Sequence, residues 1–110
     1  MSAAQINWKN PWRPIQFPAE IPGVQRQLEL EITSKHVLYG RGATVVGRRI
    51  DNDDVLVRLN DGSYAAVHLV CGRSSEGPFA DRYPSWHLYG ALESFIQAME
   101  QDALEYGDET

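Results

Sequence analysis

The stretch 53-DDVLVRLNDGSYAAVHLVC-71 decides the fold. Two runs rich in β-branched and apolar residues flank Asn60-Asp61-Gly62-Ser63, and a turn of that chemistry between such runs predicts an antiparallel hairpin. A two-residue loop at Asp61-Gly62 sets Leu59 opposite Tyr64, Val57 opposite Ala66 and Val55 opposite His68. Those residues then share one face. Leu56, Ala65, Val67, Leu69 and Cys71 share the other, with Asp54 and Arg58. Both faces are fairly apolar, so both are expected to be covered.

Working outward, Ala43 to Ile50 reads as a further strand, supplied with Thr44, Val45, Val46 and Ile50. Asp51-Asn52-Asp53 forms the turn between it and the strand Asp54 to Leu59. Gly72 to Pro84 is a loop of turn formers, and Ser85 to Tyr89 adds a short edge strand. Upstream, Pro22 opens a helix, because proline is tolerated in the first turn where its missing N–H is not needed. Val24, Leu28 and Ile32 give that helix one apolar face, and it is expected to end between Thr33 and His36. The clearest helix is the last. Leu92, Phe95, Ile96, Met99 and Ala103 fall at i, i+3, i+4, i+7 and i+11, with Gly90 as the N-cap position.

Residues 1–21 carry Pro11, Pro14 and Pro18, a spacing that forbids a helix and favours an extended arm. That arm also holds Trp8, Trp12, Ile15 and Phe17. It is expected to lie across the domain and bury at least one tryptophan; its other reading is an aromatic binding surface. The chain of 110 residues is therefore a single α+β domain, ordered helix, three or four antiparallel strands, helix, with an acidic tail at 107–110.

Charge is unevenly placed. Of fifteen acids, six (Glu93, Glu100, Asp102, Glu105, Asp108, Glu109) follow Leu92, where no base occurs; before that point ten Lys and Arg slightly outnumber the remaining acids. No basic stripe is available for phosphate neutralisation, which disfavours nucleic-acid binding. A basic protein partner suits the acidic end. One cysteine, Cys71, allows no intrachain disulfide and fits a reducing compartment. No apolar leader and no membrane-length apolar run is visible, so the expected location is the cytoplasm.

Candidate chemistry is sparse. Asp51, Asp53 and Asp54 lack the spacing of an oxygen-ligand metal loop and read as turn residues that bond nearby backbone. His36, His68 and His87 form no zinc spacing. His68 and Cys71, three apart on a strand, point to opposite faces, so they make no thiolate–imidazole pair. No phosphate loop and no nucleophile-elbow serine occurs. The residues thus point to a non-enzymatic domain without metal or cofactor. The rival reading is a small metal-binding or hydrolytic centre built from His68, Asp54 and His87. A third is a subunit that pairs with itself, as a homodimer, through an exposed edge strand.

His36-Val37-Leu38-Tyr39-Gly40, Asp53-Asp54-Val55-Leu56-Val57, Ala66-Val67-His68-Leu69, Pro84, and Phe95 with Met99, Asp102, Glu105 and Tyr106 together resemble one group of small, largely uncharacterised bacterial proteins. Some of its relatives are suspected immunity-type proteins. The chain departs from the pattern at Val37, where the group has proline, at Val70-Cys71, in place of Thr-Trp, and at Arg82-Tyr83-Pro84, in place of Trp-Pro. The resemblance implies a protein partner, in its sharpest form a toxin, and brings no catalytic residue. The partner surface expected from sequence comprises Trp8, Trp12, Glu76, Asp81, Glu100 and Glu105.

Overall fold

The computed structural model describes residues 6–15, 20–69 and 85–107. Seven elements follow in chain order: β1 (Trp12–Pro14), α1 (Glu20–Glu31), β2 (Thr44–Arg49), β3 (Asp54–Arg58), β4 (Tyr64–His68), β5 (Trp86–Gly90) and α2 (Leu92–Tyr106). The strands form one antiparallel sheet in the order β1-β2-β3-β4-β5. This is an α+β domain with helix, strands and helix in the expected order. It has five strands rather than three or four, because part of the proline-rich arm pairs with β2 as β1.

A helix covers each face. On one, Leu28 of α1 and Ile32, just past its end, pack with Val45, Val55, Val57, Leu59, Ala65, Val67 and Leu69. On the other, Phe95 and Met99 of α2 pack with Trp12, Leu56, Tyr64 and Ala66. Burying each large apolar side chain contributes roughly 1.5–3 kcal/mol, so both layers are needed to hold so small a sheet.

The hairpin register differs by one residue from the sequence expectation. The partners are Val57 with Ala65, Leu56 with Ala66 and Asp54 with His68. The cause is a three-residue loop. The Gly62 N–H donates to the Leu59 carbonyl at 2.9 Å, the Leu59 N–H donates to the Ser63 carbonyl at 2.8 Å, and Gly62 takes φ +88°. A turn closed that way needs a left-handed residue at its third position, which glycine supplies without a Cβ clash. Asp61 locks the loop by accepting from the Ser63 N–H and hydroxyl at 2.9 and 2.6 Å.

The helices also depart in detail from expectation. α1 begins at Glu20, so the arm is shorter than residues 1–21, and α1 ends at Glu31, ahead of Thr33. Pro22 sits in its first turn. The Gln25 side chain fastens α1 to β2, donating to the Ala43 carbonyl and accepting from the Val45 N–H, both at 2.9 Å. The N-cap of α2 is Ala91, in extended conformation and without a side-chain bond, not Gly90. Gly90 instead takes φ +87° to turn the chain out of β5. At the other end Gly107 is not free tail: it caps α2 in the left-handed conformation, φ 85°, its N–H reaching the Ala103 and Leu104 carbonyls. Among the described residues no helix is long and apolar enough to cross a membrane.

Candidate functional site

Strand pairing assembles a polar row on the α2 side of the sheet. Trp12 lies opposite Arg49, Arg49 lies in register beside Asp54, and Asp54 lies opposite His68. The strand period keeps these side chains on one face, with Leu56 and Ala66. Asp102 of α2 closes over the row. Its Oδ2 accepts from the Trp12 indole N–H at 2.9 Å and from Arg49 at 3.3 Å. The guanidinium of Arg49 also grips both oxygens of Asp51 at 2.9 Å and stands 5.5 Å over the Trp12 ring.

The electrostatics follow from this geometry. The two-pronged hydrogen bond from Arg49 holds the Asp51 carboxyl below its ordinary range, and the same contact, joined by the fields of Asp102 and Asp54, raises Arg49. Tyr89, from β5, packs against Phe95 at 5.3 Å. Burial, with the carboxylates of Asp102 and Asp54 nearby, pushes its hydroxyl up to about 12. That is the opposite of activation, since the phenolate form is disfavoured.

His68 stands at the end of the row. Its Nδ1 lies 2.6 Å from Asp54 Oδ1, and its side chain is 52% exposed. A carboxylate accepts, so in this bond Nδ1 donates, and the contact orients the exposed ring. This is the base half of a nucleophile–base arrangement. His87 does not complete it: its ring packs edge-on to Tyr89 at 4.8 Å. Among the described residues no three His, Cys, Asp or Glu side chains gather as a metal cage, so His68, Asp54 and His87 are not assembled as a three-ligand set. The Asp51–Asp54 run disperses in the same way, with Asp51 on Arg49, Asn52 capping the Asp54 N–H at 2.8 Å, and Asp54 on His68. His68 is thus satisfied but exposed, not a core imidazole. Cys71 lies outside the described residues.

His68 does not line the concavities walled by Leu28 and Tyr39, by Arg13 and Arg49, or by Val24 and Leu69. The largest, about 490 Å³, is walled by Arg13, Arg48, Arg49 and Asp51. Its cations already hold anions: Glu20 meets Arg13 at 2.8 Å and Arg48 at 3.5 Å, and Asp51 meets Arg49.

The expected partner surface is only partly exposed. Trp12 is 1% exposed, sealed by Phe95 at 5.2 Å and by Asp102, so it is core and is withdrawn from that surface. Trp8 is half-buried, set edge-on to Phe95 at 6.2 Å. Glu76 and Asp81 lie outside the described residues. Glu100 and Glu105 are exposed on α2, Glu100 at 3.7 Å from Lys9 and Glu105 accepting from Gln101 at 3.2 Å. Beside them Leu104 is 75% exposed and Tyr106 is also exposed. Sequence reasoning did not single out Leu104, although it stands off the buried stripe by helical spacing. Scanned against family models, curated proteins and solved structures, the chain matches none.

Proposed function

We propose that this chain is a non-enzymatic protein-binding domain that engages a basic partner through the outer side of α2. The observation that carries this reading is a helix whose solvent side presents Glu93, Glu100 and Glu105 together with the exposed Leu104, and which has no Lys or Arg of its own. Carboxylates beside an exposed apolar side chain steer a cationic partner and then give it area to bury. The sharpest form is an immunity-type protein that neutralises a cognate toxin by covering its basic surface. Small size, the acidic end and the resemblance noted above support it. The test is affinity capture from the source cells with the intact chain and with a Glu100→Lys, Glu105→Lys, Leu104→Ala variant. A basic protein held by the first and lost by the second is expected. Capture of nothing, or of a protein indifferent to these changes, refutes the reading.

A second reading rests on the 2.6 Å bond between Asp54 and His68, which orients a half-exposed imidazole. It makes the same row a hydrolytic or metal-dependent centre. Metal found in the purified protein by elemental analysis, together with a His68→Ala variant of unchanged stability, would favour it over the first.

A further inference from the structure

The two edges of the sheet are built differently. β1 is three residues long, carries the charged Arg13 and ends in Pro14, which has no N–H to offer. Shortness, charge and proline are the devices that blunt an edge. β5 has none of them: Trp86-His87-Leu88-Tyr89-Gly90 contains no Lys, Arg, Asp, Glu or Pro. Among the described residues no strand lies beyond it.

The pairing of β5 with β4 shows which of its backbone groups face outward. The His68 N–H donates to the Ser85 carbonyl at 2.9 Å, and Ala66 is the partner of His87. Antiparallel alternation therefore turns the N–H and C=O of Ser85 and His87 toward β4 and those of Trp86 and Leu88 outward. The irregular pairing opposite Tyr64 and Ala65 falls at Tyr89 and leaves Trp86 to Leu88 regular. Leu88 is paired with Ala65 on the α1 side and is 45% exposed.

We propose that β5 pairs antiparallel with β5 of a second copy, about a two-fold axis through His87, to make one continuous sheet across a homodimer. In that register Trp86 faces Leu88 of the other copy, and the outward backbone groups of each pair exchange both hydrogen bonds. The cross-strand side chains are aromatic against aliphatic on the α1 side. Charge selects the occupant. No formal charge meets its like along the strand. The acids in the C-terminal half of α2 are engaged on the β1–β2 side, where Asp102 reaches Trp12 and Arg49 and Glu100 meets Lys9. A cationic partner finds its complement there, whereas an uncharged, self-matching strand fits its own copy.

Sedimentation equilibrium across the micromolar range tests this, with a dimer expected at twice the 12.4 kDa of one chain. Leu88→Pro removes one outward N–H and leaves the β4 ladder whole, and Leu88→Lys places a charge opposite Trp86 of the other copy. Each is expected to weaken dimerisation at least about tenfold. Circular dichroism identifies whichever variant stays folded, and that one decides. Leu104→Lys, on α2, is expected to leave the mass unchanged. A wild-type chain that stays monomeric, or a folded Leu88 variant that still dimerises like wild type, overturns the proposal.

Discussion

Replacing Gly47 with alanine sets two effects of opposite sign against each other. Glycine inside a strand ordinarily costs roughly 0.5–1 kcal/mol relative to alanine, so in open space the change would stabilise. Gly47 is not in open space. A Cβ there would lie 2.4 and 2.7 Å from two atoms of the Trp8 ring and 2.9 Å from the Arg13 carbonyl oxygen. The ring has to give way, and it is held by its edge-on contact with Phe95. The carbonyl belongs to β1, which is paired to β2 at this point. Overpacking of this kind costs about 1–3 kcal/mol, so the clash wins and a net loss of about 1–2 kcal/mol is expected. Urea unfolding followed by circular dichroism measures it. The cause is isolated by repeating the change in a Trp8→Ala background, where only the Arg13 oxygen still crowds the new methyl. There the loss should shrink by about 1 kcal/mol, well beyond the ~0.3–0.5 kcal/mol within which unconnected sites add. An alanine variant as stable as wild type, or one whose cost is the same with and without Trp8, would refute the packing of the arm over β2.

Phe95 is fully buried between Trp8, Trp12 and Tyr89, and Phe95→Ala is expected to cost about 3–5 kcal/mol in the same unfolding assay. Asp102→Ala leaves the buried Trp12 indole N–H without its acceptor and should cost about 1–3 kcal/mol, whereas Asp102→Asn keeps an acceptor and should lose less. Tyr89 has its hydroxyl raised from 10.0 to about 12, so its contribution is whole below pH 10 and is lost as pH rises toward 12. In an alkaline titration read by tyrosinate absorbance, Tyr89→Phe should delete the latest-ionising component; a wild-type curve with no component above pH 11 or so would contradict its burial.

How far the fold was legible depended on whether a signal was local. The stripe of Leu92, Phe95, Ile96, Met99 and Ala103 is written within one helix, and Phe95, Met99 and Ala103 are its buried residues. The strands β2 to β5 each carry their own β-branched or aromatic residues and bounding turns. β1 has only Trp12, beside Pro14 and with no bounding turn signal: three residues inside a proline-rich arm become a strand because Arg49, Arg48 and Gly47 offer them a partner. No local pattern states that pairing. The arm's tryptophans were the one hint, since a free arm rarely keeps them.

The hairpin register shows where more could have been read. Asn60-Asp61-Gly62 suits both a two-residue loop and a three-residue one ending in a left-handed glycine, so turn chemistry alone leaves the choice open. Side-chain parity does not. The shorter loop puts His68 on the face of Val55 and Val57 and mixes Asp54 and Arg58 with Val67 and Leu69. The longer loop collects Val55, Val57, Leu59, Ala65, Val67 and Leu69 into one wholly apolar face, as the structure has it. A one-residue slip turns every side chain over, so the register with a coherent apolar face is the one that folding selects. The same slip decides the site. Only with the longer loop does Asp54 stand opposite His68, and only then is their hydrogen bond formed. The far end of the row was beyond any such reasoning, because Asp102 meets Trp12 across 90 positions of chain, and neither residue's neighbours in sequence point to the other.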